Sequence, residues 1–286
     1  MPRRHLSQHS VSKSSRNRIK PMSSTDASAS TMAIPDQDIF PHATGAAAKT
    51  VEAHQDPQDV VFYSGWFCPF VQRTWIALEE KGIPYQYKET NPYKKEPEYL
   101  AINPKGLVPS IVYKGGPGLY ESNILNEFLE EVYPDNPLLP SDPTKRALAR
   151  IWIDFIGKSI VPPKFVLQQA QTKEGQDKAR QEFIDALKRY EAQIKGPYFF
   201  GEQFTLVDVT LAPWLVRDWI VIEHRGFKRE DVGEKFAEYA KRVESRDSVL
   251  KTSSELEHYI PLVMRYLKDE AQSEAAKAIR AGRAIP

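Results

Sequence analysis

The chain has 286 residues, of which 41% are hydrophobic, and this is enough to fill the cores of two ordinary domains. Its 39 basic and 38 acidic residues give a formal charge of +1, so no overall field attracts nucleic acid or another polyanion. The mean hydropathy of -0.51 and the lack of a long apolar run argue against a membrane span. The composition therefore predicts a soluble protein whose partner is small, and neither nucleic acid nor a membrane.

The number of cysteines limits which sites and reactions the chain can support. Cys68 is the single cysteine of the chain, so an internal disulfide and a thiolate metal cluster are both excluded. This predicts a reducing, cytoplasmic location and no metal site. A lone thiol that becomes oxidised has no resolving partner in the same chain, so an external thiol has to reduce it.

The N-terminal 55 residues have a different texture from the rest. Residues 1–55 are predicted to form a disordered arm, because serine, alanine and threonine are frequent and periodic apolar positions are absent. Basic residues among serines in its first part are typical of a mitochondrial transit peptide and also of a solvated tail, so both interpretations stay open. Met22 and Met32 are further candidate start positions.

The next segment, residues 56–135, alternates between strand and helix patterns. The patterns predict strands at 60–63, 85–87, 107–113 and 119–120, and helices at 69–81, 96–101 and 124–132. Gly82 is the predicted end of the first of these helices. The order βαβαββα indicates an α/β thioredoxin-like domain.

Prolines and then helical patterns mark the second half. Four prolines lie between 133 and 143, and they predict a stiff linker at 136–143. Residues 144–268 are predicted to form an all-helical domain, followed by a C-terminal tail at 269–286. The helical patterns begin at the cap formed by Asp142 and Pro143 and recur near 176–194, 208–222, 233–245 and 255–268. Thr205 and Asp208 have the spacing of an N-terminal capping box.

Cys68 lies at a junction between predicted elements. It follows the first strand and its turn and directly precedes Pro69, so it is expected at the N-cap of the next helix. Unpaired amides and the positive end of the helix dipole lower a cysteine pKa there, commonly to about 3.5–7.5. A lone cysteine can instead be a small buried hydrophobe. The strand-to-helix turn favours the catalytic interpretation, because functional residues concentrate in such turns.

Several segments together resemble omega-class, cysteine-type glutathione transferases. Tyr63-Ser64 and residues 67–74, which read Phe-Cys-Pro-Phe-Val-Gln-Arg-Thr, resemble the active-site segment of that family. Residues 103–109 resemble its segment with a cis proline, and 120–124 resemble its glutathione-binding pair at a helix start. Residues 138–143 resemble its interdomain linker. The resemblance covers about 60–268, and three motifs in order are more specific than any one of them.

The resemblance implies the glutathione transferase fold, with Cys68 as the catalytic residue and glutathione as co-substrate without a permanently bound cofactor. It also implies a homodimer. The glutathione-binding residues that it implies are Phe70, Lys95, Val108, Pro109, Glu121 and Ser122. Pro109 is also compatible with an edge strand, and Glu121 and Ser122 with simple helix capping. Lys95 stands one residue away from the family pattern and is also compatible with a solvated loop.

A second-substrate pocket is expected where omega transferases open theirs. Its candidate residues are Trp66, Tyr93, Phe165, Trp214 and Arg217. Aromatic residues at helical spacing also occur commonly in the core, so both roles stay open. The expected substrates are small disulfides or electrophiles.

The sequence analysis predicts a glutathione-dependent thiol transferase that acts by monothiol exchange through Cys68, on glutathionylated thiols or in dehydroascorbate-type reduction. One alternative is a conjugating transferase that uses Ser64 or Tyr63 to activate glutathione. Another is a non-catalytic ligand-binding protein. Reductases of glutathionyl hydroquinones share the two domains, but their Cys-Pro-Trp motif differs from Cys68-Pro69-Phe70.

Overall fold

The computed structural model describes residues 35–286. The predicted disordered arm and the transit-peptide interpretation fall mainly on residues 1–34, which lie outside the described residues. Within the described part, a four-stranded sheet with flanking helices is followed by a purely helical region. None of the helices described there is both long and apolar enough for a membrane crossing.

The sheet contains four short strands. They are β1 Val60–Ser64, β2 Tyr85–Glu89, β3 Ser110–Tyr113 and β4 Gly118–Tyr120. Their spatial order is β2-β1-β3-β4, with β1 and β2 parallel and the other two pairs antiparallel. Buried and half-buried residues alternate along β1, as the two faces of a strand require. Because β1 lies between β2 and β3, its end is in the middle of the sheet, and a short turn leads from it to Cys68.

The helices of this first domain follow the predicted order. They are α2 Pro69–Lys81, α3 Pro97–Ile102 and α4 Ser122–Val132. Gly82 ends α2 in the left-handed conformation with φ of 62°, which a residue without a Cβ adopts at little cost. The predicted strand at 107–113 is wrong for residues 107–109, because β3 begins at Ser110. Pro109 has no amide hydrogen to donate to a ladder.

Within the described residues, the second domain contains helices and one isolated β-bridge, between Tyr198 and Gly201, but no strand. Its helices are α5 Pro143–Phe155, α6 Val161–Gln169, α7 Lys173–Glu191, α8 Leu206–Leu215, α9 Trp219–Arg225, α10 Glu234–Glu244, α11 Asp247–Lys251, α12 Leu256–Leu267 and α13 Glu274–Arg280. A π-helical turn, Ile156–Ile160, joins α5 to α6. The predicted fold class, a thioredoxin-like domain followed by an all-α domain, is confirmed.

Two helices lie outside the two predicted domains. Helix α1, Gly45–Ala53, lies inside the predicted disordered arm, so the prediction of disorder is wrong there. Helix α13 lies inside the predicted C-terminal tail. Thr50 of α1 donates a 2.8 Å hydrogen bond from its Oγ1 to the Lys251 carbonyl. The Glu255 amide donates to Thr44 Oγ1 at 2.9 Å. These long-range contacts hold α1 in place. The sequence does not reveal them, because they produce no periodic pattern of apolar residues.

A buried ion pair anchors the connection between the two domains. Lys81 Nζ lies 2.7 Å from Glu130 Oε1, and the two side chains are only 1% and 7% exposed. Glu130 also accepts hydrogen bonds from the amides of Leu138 and Leu139 at 3.0 and 3.1 Å. The predicted linker therefore begins against the C-terminal end of α2. The predicted domain boundaries themselves stay a prediction.

Replacing Lys81 by methionine is expected to lower the free energy of unfolding by about 3 kcal/mol, because Glu130 is left buried without its counter-charge. Urea denaturation of the two proteins measures the difference. Lys114→Met is the control, since Lys114 and Asp59 form an exposed pair at 3.7 Å. That control should change stability by less than about 0.5 kcal/mol. Equal losses in the two variants would contradict the anchoring role.

Candidate active site

Cys68 occupies the N-cap of α2, as predicted, with Pro69 at the first helical position. Its backbone is extended, with φ of -79° and ψ of 124°. The turn before it is closed by a 2.9 Å hydrogen bond from the Cys68 amide to the Gly65 carbonyl. Cys68 as a residue is half-buried, and its sulfur lies 3.9 Å from the carbonyl oxygen of Val108. The side chain therefore lies between the first turn of α2 and the segment before β3.

Two opposing effects act on the Cys68 thiol. Burial raises its pKa above the ordinary value, and this effect is the largest. The amides of Val71 and Phe70, and the positive charges of Arg217 and Arg73, lower the pKa and offset only part of the rise. The predicted low pKa is therefore wrong, because the sequence shows the helix terminus but not the burial around the thiol.

The rate of Cys68 alkylation should report this raised pKa. The thiolate is the reactive form, so the rate of reaction with iodoacetamide should increase as pH rises, with a midpoint above the usual value of about 8.5. Intact-protein mass spectrometry measures the rate, and Cys68→Ser gives the background. A midpoint between about 3.5 and 7.5 would show instead that the helix terminus outweighs burial.

Val108 and Pro109 lie next to the sulfur. The Val108-Pro109 peptide bond is cis, which confirms the expectation from the resemblance. Val108 is buried, and its carbonyl faces Cys68. The Val108 amide donates no hydrogen bond to any acceptor among residues 35–286. The segment before β3 thus offers an unused donor beside the candidate nucleophile.

Glu121 and Ser122 begin α4 close to α2. Glu121 has φ of 77° and ψ of 107°, an unfavourable conformation for a residue with a Cβ. Such strain is found preferentially at functional sites. The Glu121 carboxylate forms a 2.6 Å ion pair with Lys105, and both side chains are exposed. Ser122 is buried, and its carbonyl accepts a 3.4 Å hydrogen bond from Thr74 Oγ1 of α2.

The other two predicted glutathione contacts lie at the edges of this region. Phe70 is half-buried and packs edge-on against Trp214 at 5.2 Å between ring centroids. Lys95 is exposed, with its Nζ 3.3 Å from the Lys105 carbonyl oxygen. Lys105, which pairs with Glu121, was missed by the sequence analysis although it lies inside the segment that resembles the cis-proline motif. Glutathione contacts of all six predicted residues stay a prediction.

The five residues predicted for a second-substrate pocket are mostly buried. Trp66, Phe165, Trp214 and Arg217 are between 1% and 8% exposed, and Tyr93 is half-buried. The indole Nε1 of Trp66 donates a 2.8 Å hydrogen bond to the Phe40 carbonyl, and this bond holds the side chain in the core. Tyr93 stacks on Phe67 with 6.0 Å between ring centroids. Contact with substrate stays a prediction for all five.

Residues without a predicted role also surround Cys68. Arg73 is buried, and its guanidinium lies over the rings of Trp214 and Phe70 at 4.3 and 5.2 Å. Burial raises the pKa of the phenol of Tyr266, and the charge of the Cys68 thiolate adds to this rise. Tyr266 comes from α12, near the C-terminus, so no local pattern in the sequence predicts its position.

A short segment before α1 fastens the site to the second domain. Asp36 is fully buried, and it accepts 2.6 Å hydrogen bonds from Arg265 Nη1 and the Gln272 amide. Gln37 donates from its side chain to the Tyr93 carbonyl at 3.2 Å. Residues 36–40 therefore link the Tyr93 loop and Trp66 to the C-terminal helices.

One group of potential metal ligands occurs among the described residues. Glu255, Glu257 and His258 bring their ligand atoms within 4.8 Å of one another. Both carboxylates are exposed, and the His258 ring packs against Phe40 at 4.3 Å. We assign no metal to this group.

Comparison with known proteins places this geometry in a family. The family description "Glutathione S-transferase, N-terminal domain" matches residues 67–132, and "Glutathione S-transferase, C-terminal domain" matches residues 168–242. Glutathione S-transferase U22 of Arabidopsis thaliana is 32% identical over 215 residues, which are 73% of this chain and 97% of the plant protein. The chain belongs to the glutathione S-transferase family.

Two solved structures show how this transferase compares with others. Glutathione transferase Omega 3C of Trametes versicolor is 56% identical, with a TM-score of 0.77, covering 81% of this chain and all of the fungal one. A rice glutathione transferase in complex with glutathione is 27% identical, with a TM-score of 0.66, covering 74% of this chain and all of the rice chain. The N-terminal family match includes both Cys68 and Glu121.

Proposed function

We propose that this chain is a glutathione-dependent thiol transferase of the omega type, with Cys68 as its nucleophile. The observation that carries the proposal is the position of the one cysteine at the N-cap of α2, with its sulfur 3.9 Å from the Val108 carbonyl. The 56% identity to an omega transferase supports the class, since the plant relatives are more distant.

The proposed reaction is monothiol exchange in two steps. The Cys68 thiolate attacks the glutathionyl sulfur of a mixed disulfide, the disulfide bond breaks, and the substrate thiolate leaves and takes up a proton. Cys68 is then joined to glutathione by a new disulfide. The thiolate of a second glutathione attacks that bond, which releases oxidised glutathione and regenerates Cys68. Because the chain has one cysteine, the thiol that regenerates Cys68 in the second step comes from outside the chain.

The residues around Cys68 suit glutathione as a peptide. The free Val108 amide and the Val108 carbonyl can pair with an extended peptide in the manner of an added strand. The start of α4 at Ser122 suits a carboxylate, because its first amides point outward. The Glu121 carboxylate suits the ligand's amino group. Phe70, Lys95 and Pro109 complete the proposed glutathione site.

The conjugating alternative places the activating hydroxyl on Ser64 or Tyr63. Ser64 is fully buried, and its Oγ donates a 3.0 Å hydrogen bond to the Tyr87 hydroxyl in the sheet. Tyr63 is half-buried, with its ring 5.8 Å from that of Tyr99. Because the Ser64 hydroxyl already donates its hydrogen bond to Tyr87, Cys68 is favoured as the functional group.

Two assays on the wild-type protein separate the three interpretations. A thiol transferase should reduce a glutathionylated peptide with glutathione and should conjugate chlorodinitrobenzene slowly or not at all. Conjugation without disulfide exchange would instead support the hydroxyl-directed transferase. Neither activity, together with retained glutathione binding, would support the non-catalytic ligand-binding protein. Dehydroascorbate and glutathionyl hydroquinones are the next substrates to compare.

The proposal includes a homodimer in the cytoplasm. Three exposed apolar side chains support the dimer, namely Ile124 of α4 and Leu148 and Ile151 of α5, which are 61%, 41% and 59% exposed. Light scattering should give twice the monomer mass for the wild type and the monomer mass for Ile151→Glu. The single cysteine supports a reducing compartment.

A further inference from the structure

Two buried arginines beside Cys68 have no carboxylate partner among residues 35–286. Arg73 is 2% exposed and Arg217 is 8% exposed. Arg73 donates from Nε to the Thr210 carbonyl at 3.0 Å, and its Nη2 is buried without any acceptor. Both groups therefore lie where a positive charge is costly, because buried cations are normally paired with an anion.

The donors of Arg217 also meet only neutral oxygens. Nη1 donates to the Pro213 carbonyl at 2.7 Å and to the side-chain oxygen of Gln72. Nη2 lies 3.3 Å from the Phe67 carbonyl and 3.3 Å from the Tyr259 hydroxyl. Nε is buried without an acceptor. Arg217 thus touches the residue directly before Cys68 but finds no negative charge there.

Arg73 approaches the same helix turn from further along α2. It follows Cys68 by five residues, and its guanidinium lies 5.2 Å from the ring centroid of Phe70, in the first turn. Side chains on a helix lean toward its N-terminus, which carries this charge toward the cysteine. The two arginines therefore place positive charges beside the turn that holds the sulfur.

We propose that Arg73 and Arg217 are positioning residues whose unpaired buried charges favour the thiolate form of Cys68 over the thiol. The thiolate supplies a negative charge near two cations that have no carboxylate partner among residues 35–286. This inference rests on the proposed role of Cys68 as nucleophile. It changes the expected role of Arg217, which the sequence analysis placed in a second-substrate pocket.

The electrostatics of the neighbouring groups agree with this pairing. Burial lowers the pKa of Arg73 to about 9, and the Cys68 thiolate opposes that decrease. The phenols of Tyr93, Tyr99 and Tyr266 are also in electrostatic reach of Cys68. Burial raises the pKa of each phenol, to about 12 for Tyr99, so all three are neutral near pH 7 and add no competing anion.

The test is a titration of Cys68 in arginine variants. Thiolate absorbance near 240 nm and iodoacetamide alkylation are followed against pH in the wild type, Arg73→Met and Arg217→Met, with Cys68→Ser as the blank. In each methionine variant, the Cys68 thiol should titrate about one pH unit higher than in the wild type. It should also react with iodoacetamide about tenfold more slowly at pH 7. Arg73→Lys and Arg217→Lys keep the charge and should stay within about threefold of the wild type.

A matched control and a reserve variant keep the test decisive. Arg246 also stacks on an aromatic ring, Phe204 at 4.3 Å, but it is neutralised by Glu80 at 2.5 Å. Arg246→Met should leave the Cys68 titration unchanged. If a methionine variant does not fold by circular dichroism, Arg73→Gln and Arg217→Gln make the same comparison.

The proposal would be overturned if Cys68 titrated as in the wild type in folded variants that carry a neutral residue at position 73 and at position 217. An equal shift in the lysine and neutral variants would also overturn it, because the effect would then not depend on charge. The readout needs neither glutathione nor turnover. Its failure is therefore distinguishable from failure of the proposed thiol transfer.

Discussion

Replacing Cys68 by serine is expected to lower the rate of glutathionyl transfer by at least about 1000-fold, because the chain then contains no thiol. Glutathione affinity should stay within about threefold, since Val108, Glu121 and Ser122 are unchanged. Reduction of a glutathionylated peptide measures the rate, and calorimetry measures binding. The two readouts together separate a lost nucleophile from a lost binding site.

Tyr63→Phe is the matched comparison for this prediction. It removes one of the two hydroxyls that the conjugating alternative can use, and it should leave glutathionyl transfer within about twofold of the wild type. If Cys68→Ser kept most of the turnover while Tyr63→Phe lost it, the reaction would run through a hydroxyl, and thiol exchange at Cys68 would be excluded.

Replacing Asp208 by alanine is expected to lower the free energy of unfolding by about 4 kcal/mol. The Asp208 carboxylate is fully buried and accepts four hydrogen bonds, from the Thr205 amide and hydroxyl, the Phe199 amide and the Tyr239 hydroxyl, at 2.8 to 2.9 Å. Removing it leaves buried donors without an acceptor, each costing about 1–3 kcal/mol before relaxation. Urea denaturation measures the loss.

Two variants calibrate the Asp208 result. Asp142 caps α5 in an exposed position and accepts one hydrogen bond, from the Lys145 amide at 2.8 Å. Asp142→Ala should therefore cost about 1 kcal/mol, as a simple cap does. Asp208→Asn keeps one oxygen and should lie between the two. Equal losses for Asp208→Ala and Asp142→Ala would show that Asp208 acts only as a cap.

The sequence predicts those elements whose signals are local. Helix α2 has a proline at its first position and Gly82 at its end, and both bounds are confirmed. The capping box of Thr205 and Asp208 is likewise present, although the prediction of one helix at 208–222 is interrupted between α8 and α9. Caps, stops and the βαβαββα pattern depend on neighbouring residues, so they can be predicted without tertiary information.

Elements that are held by distant contacts are missed, because those contacts cannot be recognised from neighbouring residues. Helix α1 is fixed by hydrogen bonds to residues about 200 positions away, such as the one from Thr50 to Lys251. Helix α6 begins at Val161 and has Pro162-Pro163 in its first turn, which resembles a break although prolines are tolerated there. Neither helix has the strong apolar period on which sequence reasoning depends.

In the candidate site too, the features set by neighbouring residues could be predicted, and those set by distant contacts could not. The position of Cys68 at a helix N-terminus and the cis bond before Pro109 follow from adjacent residues. The burial that raises the Cys68 pKa and the approach of Arg217 depend on how the two domains pack. A sequence shows which groups are available near a nucleophile in the chain, but not which distant charges its environment brings to it.

Intact-protein mass spectrometry of wild type and Cys68→Ser after exposure to oxidised glutathione tests monothiol exchange most directly. The wild type should gain one glutathione, lose it on treatment with reduced glutathione, and return to its original mass. Cys68→Ser should gain none. A wild-type protein that reduces glutathionylated substrates without ever forming a reversible adduct would contradict the proposed Cys68-glutathione disulfide.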